Sequence, residues 1–181
     1  MEYTILRSNR RSLSITIDQD ANLIVRAPRR MSDRTVAAFV ASKHDWIEKH
    51  IKKVKERAIR RAEVPEFTEE ERKVLTKKAR GIISEKVAYF APIVGVTYGR
   101  IAIRRQKTVW GSCSSKGNLN FNYLLAMMPN EVIDYVVVHE LCHRKEMNHS
   151  KRFWAEVERV IPNHKALRKW LKEEGSVYLG K

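Results

Sequence analysis

The sequence predicts an α+β fold. Short stretches near residues 12–27, 96–105 and 118–123 alternate apolar and polar residues, as half-buried strands do. Longer stretches between and after them repeat apolar residues at helical spacing. No internal repeat or low-complexity segment interrupts this order.

In the first stretch Leu13, Ile15 and Ile17 point one way, DQDAN makes a turn, and Leu23 and Val25 resume the alternation. This is a β-hairpin ending at Pro28. Ser32 is a suitable N-cap for a long, basic, amphipathic helix carrying Val36, Val40, Ile47, Ile51, Val54 and Ala58, which Pro65 terminates. Thr68 and Glu71 match a capping box, opening a second helix that should stop before Pro92. Ile101 and Ile103 mark a strand. Gly117 leads into Asn118–Tyr123, with Leu119, Phe121 and Tyr123 on one face and three asparagines on the other. Pro129-Asn130 opens an apolar helix through Leu141. Phe153, Trp154, Val157 and Val160 form another, ended at Pro162, and His164 begins a last short one.

Composition excludes several classes. A chain of 181 residues, 43% hydrophobic and 31% charged, buries a sizeable core without staples. Two cysteines, Cys113 and Cys142, cannot build a disulfide framework, so a reducing, cytoplasmic setting is expected. No run reaches the roughly 18 apolar residues of a membrane span. The opening MEYTILRSNRR lacks the apolar run of a signal peptide. A cytoplasmic monomer with no membrane association is expected.

The net charge of +15 is uneven: residues 1–62 carry +8, whereas 109–150 carry −1. A basic field attracts polyanions. Arg29, Arg30, Lys43, Lys49, Lys52, Lys53 and Lys55 on the amino-terminal helix are therefore expected to recruit nucleic acid through phosphate contacts. The plain alternative is a solvated basic face.

The near-neutral segment holds the chemistry. Residues 139–143 read HELCH, and histidines four apart on a helix share a face, so His139 and His143 can ligate one ion while Glu140 handles a proton beside it. A catalytic zinc takes three protein ligands and keeps one open position. His149 is the best third ligand, with Glu156 and Glu158 as rivals and a metal-free core pair as the bland alternative. His149 reaches the ion only if the helix ends after His143 and turns back, for which Asn148 suits a left-handed turn and Ser150 a cap. Cys142 reads as core filler, and Cys113 as a small residue near the site. Trp110 is a candidate for the substrate cleft. Asn118, Asn120 and Asn122, on a strand with an open edge, are candidates for binding an extended substrate. Tyr123 and Tyr135 are candidates for stabilising charge on a substrate carbonyl.

The three-histidine spacing equals that of the metzincins, but Glu146 stands where they carry glycine. WGSCSSKGNLNFNYLL (110–125) and EVIDYVVVHELCHRKEMNHSKRFW (131–154), with the RRSLSITID…LIVRAP hairpin, resemble the YgjP-like metal-dependent hydrolases, which belong with the SprT and WLM-type compact zincin proteases. The resemblance implies a minimal zincin-like fold with a small antiparallel sheet on the active-site helix. The break at Pro65 divides the expected organisation into a hairpin and basic helix (1–64) and a metallohydrolase core (65–181). The resemblance also implies one Zn2+ per chain on His139, His143 and His149, with Glu140 as catalytic acid and base. Val109 departs from the arginine usual before Trp-Gly-Ser in that family. The expected activity is a metallopeptidase acting on a peptide or protein. The alternatives are a nucleotide pyrophosphatase, although no Gly-rich phosphate loop is present, and a non-enzymatic nucleic-acid-binding module.

Overall fold

Leu23, Val25 and Ala27 point inward along one strand and nucleate the amino-terminal core. The computed structural model describes residues 2–179, in two compact units, Met1–Val64 and Pro65–Lys181. In the first unit, β1 (Thr4–Ser8), β2 (Ser14–Ile17) and β3 (Leu23–Pro28) form a sheet of order β1-β3-β2. The hairpin of β2 and β3 turns on Asp18, whose carboxylate accepts from the Asp20 and Asn22 amides at 3.0 and 2.8 Å and from the Asn22 side chain at 3.0 Å. Those bonds to Asn22 hold the Asp18 carboxyl below its ordinary pKa. β1 joins β3 in parallel and was not foreseen, because four of its five residues are exposed and no alternation marks it.

The long basic helix is two helices, α1 (Asp33–Ala41) and α2 (His44–Glu63). The Ser42 hydroxyl donates back to the Phe39 carbonyl at 2.7 Å, the local competition that makes serine a helix-end residue. Ser32 caps α1 as expected, and Val36, Val40 and Ile47 close the small core against the sheet.

In the second unit α3 (Glu69–Val94) begins with the full Thr68/Glu71 capping box and runs through Pro92 to Gly95, which takes φ +80°. Proline removes the amide bond to the carbonyl four residues back, but the helix ends two residues later, and burial of Ala91 and Val94 on either side offsets that loss. The expected stop before Pro92 is thus corrected by three residues. β4 (Ile101–Arg104), β5 (Gly111–Cys113) and β6 (Leu119–Asn122) form a second sheet of order β4-β6-β5. β6 is central, parallel to β4 and antiparallel to β5. A 3-10 turn (Tyr123–Met127) leads into α4 (Asn130–Cys142), followed by α5 (Lys151–Val160) and α6 (His164–Glu173). Phe121, Phe153, Leu119, Ile133, Leu125, Ile83 and Leu141 are the fully buried centre of this unit. A Lys86–Asp134 ion pair ties α3 to α4. No helix among the described residues is long and apolar enough to cross a membrane.

The asparagine row has no open strand edge to offer an extended substrate. Its strand is central, with both edges paired. Asn122 is fully buried: its amide donates to the Gln106 and Val109 carbonyls at 2.8 and 3.1 Å, and its oxygen caps the Leu124 amide at 3.2 Å. Asn120 donates across the sheet to Ser112 at 3.2 Å, and Asn118 accepts from the Arg100 amide at 3.2 Å. Their apolar neighbours set the alternation; the asparagines peg strands and loops. Asn122→Ala is expected to cost about 2–3 kcal/mol, because it removes a cap and leaves two carbonyls without their donor. Urea denaturation would measure it, and an unchanged midpoint would contradict the pegging role.

Candidate metal centre

The site is built at the end of α4, a helix buried on nearly every side by Val132, Ile133, Val136, Val137, Val138 and Leu141. The apolar surroundings fix the direction in which its last turn points. His139 and Glu140 lie in that turn and His143 caps it. The chain then reverses through ordinary backbone bonds, from the Arg144 amide to the Leu141 carbonyl (2.9 Å) and from the Lys145 and Glu146 amides to the Cys142 carbonyl (3.0 and 3.1 Å). No left-handed residue is used: Asn148 has an ordinary negative φ, so that part of the expectation is corrected. Arg144 clamps the reversal, donating to the Thr97 and Ser115 carbonyls at 3.1 Å each. Its guanidinium lies where a Cβ on Gly117 would fall, at 2.9 Å, and Gly117 itself adopts φ +80°. Ser150 caps α5 through the Phe153 amide at 3.3 Å, which places His149 opposite α4.

The reversal brings ligand atoms of His139, His143 and His149 within 4.8 Å of one another. Nε2 of His149 stands 3.0 Å from Nε2 of His139, near the roughly 3.3 Å expected of two nitrogens on one tetrahedral zinc. His143 directs Nδ1 to the Glu146 carbonyl at 3.1 Å, an arrangement that leaves Nε2 for a ligand. Burial pushes His139 down to about 3 and also lowers His143, holding both in the neutral form that ligates metals. The donor set therefore fits a borderline-soft divalent ion. Glu156 and Glu158 face elsewhere: Glu156 pairs with Lys145 (2.9 Å) and Arg159 (3.2 Å), and Glu158 with Lys165 (3.2 Å).

Glu140 is 5% exposed, and its Oε2 is buried without a hydrogen-bond partner. Burial pushes its carboxyl up to about 8. The carboxylate fits only because residue 111 is glycine, where an added Cβ would lie 2.8 Å from Oε1 and Cγ. Phe153 stacks on His143 (ring centres 4.5 Å apart) and Trp154 on His149 (5.6 Å), so α5 packs the ligands from behind. His164, fully buried on the far side of Trp154, stacks on it at 5.5 Å as a packing residue.

These groups open into a cleft of about 720 Å³. Trp110 lines it, as does Tyr135, whose hydroxyl burial pushes up to about 12; Tyr123 does not. Cys113 is on the wall, and Cys142 is fully buried with its thiol raised to about 12 by burial, so it is core.

Two contributors escaped the sequence reading. β5, a three-residue edge strand, forms one wall through Gly111, Ser112 and Cys113. Arg168 on α6 projects into the cleft, its guanidinium 4.8 Å from the Trp154 ring. Its only sequence signal is an arginine between the buried Leu167 and Leu171. With Val109 at the rim, Arg168 is the cleft's cation among the described residues.

Fold and site together define a metal-dependent hydrolase of the peptidase class. A family model for the YgjP-like metallopeptidase domain matches residues 11–75 and 68–174, and the chain belongs to that family. Among solved structures, the metallopeptidase zymogen abylysin of Pyrococcus abyssi is similar at 25% identity, covering 51% of this chain and 95% of that one with a TM-score of 0.47. The metallopeptidase zymogen jannalysin of Methanocaldococcus jannaschii is similar at 22% identity, covering 50% and 95%, with a TM-score of 0.42. No curated protein matches the sequence.

Alanine at His139, His143 or His149 is expected to abolish stoichiometric binding of a divalent metal while far-UV circular dichroism stays largely unchanged, since the apolar core around Phe121, Ile133 and Leu141 does not depend on the donors. Glu156→Ala should retain the metal. Elemental analysis of the purified variants decides, and metal retained in His149→Ala but lost in Glu156→Ala would reverse the ligand choice.

Proposed function

We propose that the chain is a zinc peptidase in which His139, His143 and His149 hold one Zn2+ and Glu140 is the general base and acid. The observation that carries this is the convergence of three imidazoles beside a buried, unpartnered carboxylate oxygen on the wall of one cleft. When bound, the metal supplies Lewis acidity, lowering the pKa of water towards neutrality and polarising a substrate carbonyl. Glu140 takes the proton of the attacking water at its carboxylate as the new C–O bond forms, then passes it to the leaving amine as the peptide C–N bond breaks. Its burial keeps competing hydrogen bonds away from that oxygen. The positive charge of a metal at this site would favour the ionised form that a base requires, opposing the effect of burial.

β5 supports a peptide as the substrate. It is an edge strand on the cleft wall, and an extended backbone can pair with such an edge as an added strand. Trp110 offers an apolar wall beside it, and Arg168, held over Trp154, favours a carboxylate on the substrate.

Glu140→Gln is expected to keep one zinc per chain and lower turnover about 10²–10⁴-fold. Gly111→Ala should also keep the zinc but reduce kcat, because the new methyl displaces the Glu140 carboxylate. Both are read by zinc content together with a peptide library and a nucleoside triphosphate panel. Turnover of triphosphates alone, abolished in Glu140→Gln, would replace the peptidase reading with the pyrophosphatase one. A fully active Glu140→Gln would remove that residue from the chemistry.

A further inference from the structure

A second concavity in the same unit, of about 530 Å³, shares no lining residue with the metal cleft. Arg72, Lys73, Lys77 and Arg80 of α3 enter it from one side, and Arg104 and Arg105 at the end of β4 from the other. Glu69 is the single acid in the lining. It reaches Arg72 only at 3.6 Å and leaves the buried Arg72 Nε without an acceptor. Among the described residues, none of the other five cations has a carboxylate within ion-pair distance.

The placement goes against folding alone. At about 100° per residue, Arg72, Thr76 and Arg80 occupy the same arc of α3 as Ile83 and Val87, which are fully buried further along. The stripe that is buried at Ile83 and Val87 is thus polar in the first turns, half-buried at Arg72 and Thr76 and exposed at Arg80. Lys73–Lys77 and Lys77–Arg80 are also like-charge neighbours at helical contact spacing, which opposes the helix. The opposite wall is held firm. Asn122 grips the Gln106 and Val109 carbonyls, anchoring the loop that continues from Arg104 and Arg105.

We infer that this groove binds the phosphate backbone of a polynucleotide. The cations of α3 extend about 12 Å along the helix, comparable to the axial rise of three or four base pairs of a duplex at about 3.4 Å each. The apolar residues of the groove, Ile103 and the buried Tyr123, belong to the protein interior and cannot insert into a bilayer, which argues against a lipid surface. No Gly-rich loop or carboxylate cluster for Mg2+ lines it, which argues against a free nucleotide. Recognition through phosphates alone is independent of base sequence. The site differs from the basic face of α2, which the sequence had put forward for the same role.

The test is fluorescence anisotropy of the 181-residue chain with labelled single- and double-stranded DNA and RNA of mixed sequence, at about 50 to 200 mM salt. Lys73, Lys77 and Arg104 are exposed, so a triple glutamine variant at these positions should stay folded, with an unchanged or higher Tm. It is expected to bind at least about tenfold more weakly, with a salt slope shallower by about 3, one for each phosphate contact removed. A variant with Lys49, Lys52, Lys53 and Lys55 changed to glutamine should bind as the wild type does. No saturable binding at about 50 mM salt, or full affinity in the groove variant, would overturn the assignment. So would tighter competition by phosphatidylserine vesicles, or binding of a nucleoside triphosphate as tight as that of the polymer. Because the readout is binding, its failure leaves the peptidase reading untouched, and loss of peptidase activity leaves the groove untouched.

Discussion

The candidate site depends on one constraint: the chain must reverse within the six residues from His143 to His149, so that a third imidazole returns to the face that α4 presents. A continuous helix would carry His149 about 15 Å along the axis from His139. The reversal is made by backbone bonds into the last turn of α4 and locked by Arg144, whose guanidinium spans to carbonyls on two other segments. Gly117 leaves room for that guanidinium, and Ser150 starts α5 at the residue after His149. The ligand geometry is therefore set by groups that never touch the ligand atoms. It also requires α4 to be immobile, which its burial on almost all sides provides.

The same burial shapes the electrostatics. A carboxylate and an imidazole taken from water into an apolar interior give up charge unless something nearby compensates. Here Glu140 is pushed up and His139 down, both chiefly by burial, and neither has a counter-ion within reach. Glu140 Oε2 and His139 Nδ1 are both left without a partner, a cost that a fold stabilised by packing alone would avoid. A metal among the three imidazoles would relieve the carboxylate and would use the Nε2 lone pairs of His139 and His149 together. Local instability here is the counterpart of function elsewhere in the same few residues.

Much of this was legible in the sequence where signals were local and strong. The capping box at Thr68, the caps at Ser32 and Ser150, and the apolar spacing of α4 and α5 each act within one turn of helix, and each is found. What escaped depends on partners distant in sequence. β1 is defined only by its parallel pairing with β3, some twenty residues away. β5 is three residues of small side chains, too short for any period, and exists because β6 offers it an antiparallel edge. The asparagine row was misread because alternation reveals which side chains share a face but not whether a strand is central. Pro92 reads as a stop because its local cost is plain, whereas the buried Ala91 and Val94 that offset it are a tertiary matter. Arg168 could be found only once α6 was seen against Trp154.

The second unit places its two concavities on one structural economy. α3 supplies apolar residues to the core along Ala79, Ile83 and Val87, and cations to the groove from Arg72 to Arg80 on its amino-terminal half. β6, through Phe121, buries the sheet against that core, and through Asn122 it anchors the loop running from Arg105 to Trp110. That loop has the groove's Arg104 and Arg105 at one end and the cleft's Val109 and Trp110 at the other. A single buried amide thus braces a wall of both sites.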